Sequence, residues 1–212
     1  MKKIICGFKE DLKKDGWKEI FWKKYRNQLY TEENGIIYFN SKKYNTKEPI
    51  EIKSIELIPN KDLVNKLNTL IDDAILVVKK YLTINELIEE SINSRKLIKD
   101  IIEQAANKAF YENMSIFDYV NEIFTKCLMK HCFIDGNKRF SVCFLSLILN
   151  HFGYFFFWTS RGIVTNYKNY AKDIAEFVCK WENKENFKEK DYIEAKEEIL
   201  QWIKNNIVVS IP

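Results

Sequence analysis

The stretch KHCFIDGNKRF, residues 130–140, gathers the side chains that acid–base and phosphate chemistry need. His131 titrates near neutral pH and can take a proton from a hydroxyl. Asp135 is a hard carboxylate of the kind that holds Mg2+, an ion that keeps several waters and rarely needs a full protein cage. Gly136 and Asn137 open a turn, and Gly136 bares its backbone N–H. If a helix starts near Asn137, the N–H groups of its first turn point outward as a cradle for an anion. Lys138 and Arg139 are disfavoured there by the helix dipole unless they clamp that anion, which Arg139 can do bidentately. Phe133 alternates with these groups and is expected to point into the core and fix the loop. Base, metal carboxylate, anion hole and cationic clamp follow one another within residues 131–139. The chemistry they suit is transfer of a phosphorus group from a nucleotide to a hydroxyl, where positioning and charge stabilisation do most of the catalysis.

Each group also has an ordinary structural role. His131 can cap the C-terminus of the preceding helix. Lys138 and Arg139 can be a solvated face, and Asp-Gly-Asn can be only a turn. Cys127, His131 and Cys132 invite a zinc reading, but their spacing is not that of a zinc finger and a fourth ligand is missing. The groups gain meaning jointly.

A turn of this kind needs helices on both sides to hold it. SIFDYVNEIFTKCLMK, starting at Ser115 or Met114, reads as an amphipathic helix leading into it. RFSVCFLSLILNHF, apolar nearly all round, reads as the central helix of a bundle leading out. Upstream, NKDLVNKLNTLIDDAILVVKKYL keeps Leu63, Leu67, Leu70, Ile71, Ala74, Val77 and Val78 on one face, with Asn60 as cap. A further helix opens at Thr83, with Glu86 completing a capping box, and runs toward Phe110. Two amphipathic helices, about 167–181 and 191–205, close the chain. Residues 1–30 read as helical, with an apolar edge of Trp17, Phe21 and Trp22. GIIYFN and IEIKSIELI read as two short strands, the second bounded by Pro49 and Pro59. The expected fold class is therefore all-α, a helical bundle at 59–212 around one central helix, with a small β-containing appendage at 1–58.

The 212 residues suit one domain, or one domain with a small appendage. With 46% hydrophobic and 30% charged residues the chain reads as globular. A net charge of +4, from 34 Lys+Arg against 30 Asp+Glu, is too mild and dispersed to argue for nucleic acid. Five cysteines without a CxxC pair argue against a disulfide framework and for a reducing compartment. The N-terminal apolar run is too short for a signal peptide, and FSVCFLSLILNHFGYFFFW, interrupted by Asn150 and His151, reads as a buried helix plus an exit rather than a membrane span. A cytoplasmic location is expected, with no membrane contact.

Jointly, HCFIDGNKR resembles the signature of the Fic/Doc (Fido) family, HxFx[DE]GNGRxxR, or HxFxDxNKR in its Doc-like branch. His131, Phe133, Asp135, Asn137, Lys138 and Arg139 fall on the Doc-like form, and Gly136 falls on the Fic form. LNHFGYFF looks like the exit that follows the motif in Doc-like proteins. The resemblance spans roughly 60–206 and is sharp only over about 115–155. It implies a Fido-type helical fold, His131 as base, Asp135 as Mg2+ ligand, Gly136 and Asn137 with the adjoining N–H groups as anion hole, and Arg139 on the phosphates of ATP. The implied product is an AMP-modified Ser, Thr or Tyr of a target protein or, in the Doc branch, a phosphorylated threonine. Lys138 in place of the second glycine, and Val142 in place of the second arginine, point toward the phosphoryl mode. The inhibitory [ST]xxxE[GN] motif of many relatives is missing, with Ile98 where its glutamate would be. Inhibition by a separate antitoxin protein, as in toxin–antitoxin pairs, is the corresponding expectation. A catalytically silent Fido module that only binds a partner is the alternative.

Overall fold

The structure, a computed structural model, describes residues 3–8, 30–34, 36–41, 45–55, 57–81, 90–156, 174–181 and 189–209. It is mostly helical, with six helices among the described residues and a small sheet near the N-terminus. Strands β1 (Lys3–Phe8), β2 (Tyr30–Glu33), β3 (Ile36–Ser41) and β4 (Thr46–Ile55) precede helices α1 (Lys61–Tyr81), α2 (Ser94–Glu112), α3 (Ile116–Met129) and α4 (Asn137–His151). Strand β5 (Tyr154–Phe156), helix α5 (174–181), helix α6 (Glu189–Asn206) and strand β6 (Ile207–Val209) complete the order.

The four N-terminal strands form one sheet in the order β1-β4-β3-β2. β2 and β3 make an antiparallel hairpin around Asn34, which adopts a left-handed φ of 52°. β4 serves two partners in turn. Thr46–Pro49 pair antiparallel with β3, and Ile50–Ile55 pair parallel with β1. Pro49, which has no N–H to give, sits at the handover, where one ladder ends and the next begins. It therefore lies inside a strand and does not bound one. The helical reading of residues 1–30 is corrected at Lys3–Phe8, which is strand. Six residues are too few to show a helical period, and the run carries Ile4, Ile5 and Phe8, types that favour a pleated surface. The Trp17, Phe21 and Trp22 edge lies outside the described residues, as do Thr83, Glu86 and the start of the helix expected near 167. Residues 90–93 are not helical, so the helix expected to run from Thr83 toward Phe110 is broken there and α2 starts at Ser94.

The helix starts follow their caps. Asn60 Oδ1 accepts the Leu63 N–H at 2.9 Å and opens α1. Ser115 accepts the Asp118 N–H at 3.2 Å and opens α3. α1 buries Leu67, Leu70, Ile71, Ala74, Ile75 and Val78. β5 and β6, which the sequence did not suggest, pair antiparallel after α4 and α6. Asn150, with its amide turned to suit its neighbours, donates to the Ser146 and Tyr154 carbonyls and ties the end of α4 to β5.

The most enclosed helix is α3, the one that leads into the 130–140 turn, rather than α4 as its all-round apolarity suggested. α3 has no exposed residue and buries Asn121, Glu122 and Thr125 among its apolar side chains. α4 leaves Lys138, Asn150 and His151 exposed. The reason lies in the polar residues of α3, which look like a solvent face in the sequence but are matched by partners in the fold. Glu122, 1% exposed, takes Lys108 of α2 at 3.4 Å, Lys126 at 3.1 Å and Lys196 of α6. Asn121 donates to the Lys196 carbonyl at 2.8 Å and accepts from Thr125 at 3.2 Å. One buried carboxylate thus ties α2, α3 and α6 together.

Burial alone would push the Glu122 carboxyl up, yet the ammoniums of Lys196 and Lys126 outweigh it and hold it at about 2, against an ordinary 4.5. A carboxylate depressed by folding contributes stability above its unfolded value and loses it as pH falls through the folded one. Glu122→Gln should lower unfolding free energy at pH 7 by roughly 3 kcal/mol, the low end for a broken buried pair because lysine heads can turn to water. Denaturant titrations of both chains should converge as pH falls from 4.5 toward 2. A gap that persists at low pH would contradict this account.

Candidate active site

The chain leaves α3 and enters α4 through two left-handed residues. α3 ends at Met129 with Lys130 as its cap, whose N–H reaches the Lys126 carbonyl at 3.0 Å. His131 follows with a φ of 45°, a conformation that reverses the chain and that His tolerates better than most residues. Gly136, at φ 87°, is the cap of α4, and its carbonyl accepts the Phe140 N–H at 2.8 Å. Its left-handed backbone is the reason a glycine stands there.

Between these two points the loop is pinned by Asn137. Its Oδ1 accepts the Phe133 N–H at 2.8 Å, and its Nδ2 donates to the Phe133 carbonyl at 2.7 Å. Phe133 is buried as expected, with its ring 4.6 Å from that of Phe140, which in turn lies 5.2 Å from Phe144. A side chain read as part of an anion hole is therefore spent on loop shape. What Asn137 offers an anion is its backbone N–H, at the first position of α4.

The chemical groups sit on the outer side of this clasp. His131 is exposed. Asp135 is exposed, and its Oδ1 accepts the Gly136 N–H at 2.5 Å. Arg139, with its side chain 16% exposed, donates from Nη2 to Asp135 Oδ2 at 2.9 Å. The Gly136 N–H and the Arg139 guanidinium together hold the Asp135 carboxyl below its usual range, so it is ionised at neutral pH. Lys138 is exposed at the second position of α4. Asp135 and Arg139 stand four residues apart, with the acid at the positive end of the helix dipole. This pair answers part of why cations are tolerated at the helix start. His131, Asp135, Gly136, Lys138 and Arg139 are thereby brought to one short loop and the helix turn beside it. Val142 is 7% exposed and faces the core, so no cation stands at its position. Ile98 on α2 is fully buried and part of the core.

No group of three or more His, Cys, Asp or Glu side chains that could hold a metal occurs among the described residues, so Cys127, His131 and Cys132 do not form a zinc site there. Mg2+ asks for less. One exposed carboxylate beside a helix N-terminus fits an ion that needs few protein ligands and takes the rest from water and other oxygens. Two contacts escaped the sequence reading. The Asp135–Arg139 pair was signalled by its four-residue spacing. The Cys127 and Cys132 thiols are both buried, and each shifts the other's pKa, that of Cys127 up and that of Cys132 down. No helix among the described residues is long and apolar enough to cross a membrane. No protein-family model, curated protein or solved structure matches the chain.

The clasp has a measurable consequence. Asn137→Ala removes both bonds to the Phe133 backbone and should cost about 1–3 kcal/mol, since the Phe133 groups are left without a partner beside the core. Gly136→Ala should cost about 1–2 kcal/mol through the left-handed backbone alone. Thermal or denaturant unfolding of the two variants tests both. Wild-type stability in Asn137→Ala would mean that the loop holds its shape without the amide.

Proposed function

We propose that the chain is a transferase of the Fic/Doc type, moving a phosphorus group of ATP onto a Ser, Thr or Tyr hydroxyl of a target protein. One observation carries the reading: an exposed imidazole, an ionised exposed carboxylate and a guanidinium share one short loop that feeds a helix N-terminus. The agreement of residues 131–139 with the family signature supports it.

In this reading His131 takes the proton of the target hydroxyl, and the freed oxygen attacks phosphorus. The first-turn N–H groups of α4 and the Arg139 guanidinium hold the phosphate oxygens and meet the charge that develops on them. Arg139 exchanges Asp135 for phosphate when nucleotide enters. Asp135, released, is the residue that would hold Mg2+, which supplies charge neutralisation between phosphates when bound. The base keeps its place because it lies on the backbone reversal that ends α3. Phosphoryl transfer, with ADP leaving, is favoured over AMP transfer, with diphosphate leaving. The buried Val142 gives no cation to a terminal phosphate held deep in the site, and the exposed Lys138 stands where a second glycine would leave room. Because Ile98 is a buried core residue, inhibition is assigned to a separate protein of the antitoxin kind.

Incubation of the chain with a cell lysate and ATP labelled at either the γ or the α position tests this. Label should pass to protein from γ-labelled ATP, stop on chelation of Mg2+, and fall at least about a hundredfold in His131→Ala, the usual scale for a lost general base. Label retained only from the α position would establish AMP transfer instead. Wild-type chain that neither labels any protein nor binds Mg-ATP would leave a binding module.

A further inference from the structure

Helix α3 ends in a way that brings two particular side chains together. When a helix stops with a left-handed residue just past its cap, the chain folds back, and the side chain two places past the cap meets the one three places before it. Here the cap is Lys130 and the left-handed residue is His131, at φ 45°. The two positions that meet are Cys132 and Cys127. Such a contact is normally apolar, and an aliphatic pair would serve it. This helix end has two thiols instead, 1% and 2% exposed and both free. A reversal of this kind brings the two positions side by side, and a disulfide asks for about 4.4–6.8 Å between Cα atoms.

We propose that Cys127 and Cys132 are a redox-modified pair whose disulfide closes a ring around His131 and locks the helix end that carries it. The residue enclosed is the one with the least usual backbone in the loop. In the dithiol form that backbone is held by packing and hydrogen bonds, and a covalent link would remove its freedom to open. The proposal does not depend on the transferase reading, because it concerns the chain in the absence of nucleotide.

A small-molecule disulfide is the oxidant class considered. The Cys132 thiol loses its proton and attacks one sulfur of that disulfide, releasing one small thiol and leaving a mixed disulfide. The Cys127 thiol then loses its proton and attacks the Cys132 sulfur, forming the internal bond and releasing the second small thiol. Both protein protons end on the two small thiols. The protein dithiol is oxidised and the small disulfide reduced. Cys132 is the first to react because it lies in the loop beside exposed His131, while Cys127 is within the helix. The neighbouring Cys127 also lowers its thiol pKa, while that of Cys127 is raised. Entry of the oxidant requires only local opening of a helix end, the cheapest motion in a folded chain.

The test uses the full chain and oxidised glutathione, without nucleotide. Intact mass should show loss of two hydrogens, and peptide mapping should place the link between Cys127 and Cys132. Hydrogen exchange at the His131 amide should slow roughly tenfold in the linked form and recover on reduction. Cys127→Ser should stop at the mixed disulfide on Cys132, and Cys127→Ala repeats the experiment if serine is not tolerated. Persistence of a glutathione adduct on wild-type Cys132, a link between other cysteines, or unchanged exchange at His131 would each overturn the proposal. None of these results bears on ATP labelling, so the two readings fail separately.

Discussion

Everything at this site follows from how a seven-residue connection, 130–136, is fixed between two deeply packed helices. A short link between such helices has little slack, and its backbone polar groups cannot all reach water. The chain meets this with one left-handed residue at each end, His131 and Gly136, and one amide between them. Asn137 returns to satisfy both the N–H and the carbonyl of Phe133, standing in for a backbone partner. Phe133 is then driven into the aromatic stack with Phe140 and Phe144. With that ring and Cys132 seated, His131, Ile134 and Asp135 are left exposed.

Charge is handled differently in the two places where it matters. Around Glu122 three lysines and a buried carboxylate form a tie between helices, and depressed protonation is the price of burial compensated. At Asp135 the carboxylate is exposed and shared between a backbone N–H and Arg139, so the pair is held loosely by solvent-screened attraction. A buried pair is expensive to separate, whereas an exposed one parts at little cost. The Glu122 cluster sits on α3, which explains why a helix with several polar residues is the most enclosed one.

Helical segments with a clear period and a cap were legible in the sequence. Asn60 and Ser115 cap where their side chains predict, because capping is a local contest between one oxygen and the next turn's N–H groups. The turn at Gly136 and the inward Phe133 were legible for the same reason. The strand at Lys3–Phe8 was not, since its parallel partner lies more than forty residues away and six residues show no period. β5 and β6 were hidden likewise, being three-residue strands defined only by each other. Nor could the sequence tell that α3 is encircled, because Glu122 reads as solvent-facing until Lys108 and Lys196 arrive from other helices.

By itself the sequence determined which groups are present on the loop, their order, and the helices that begin and end around them, all of which rest on interactions within a few residues. Only the tertiary structure decided how the helices around the loop are enclosed. It surrounded Glu122 with lysines from α2, α3 and α6, shut α3 away from solvent, and seated Phe133 against Phe140 while leaving His131 exposed. Those outcomes depend on where α3 and α4 lie, and that is set by burial summed over the whole core, which no short stretch of residues encodes.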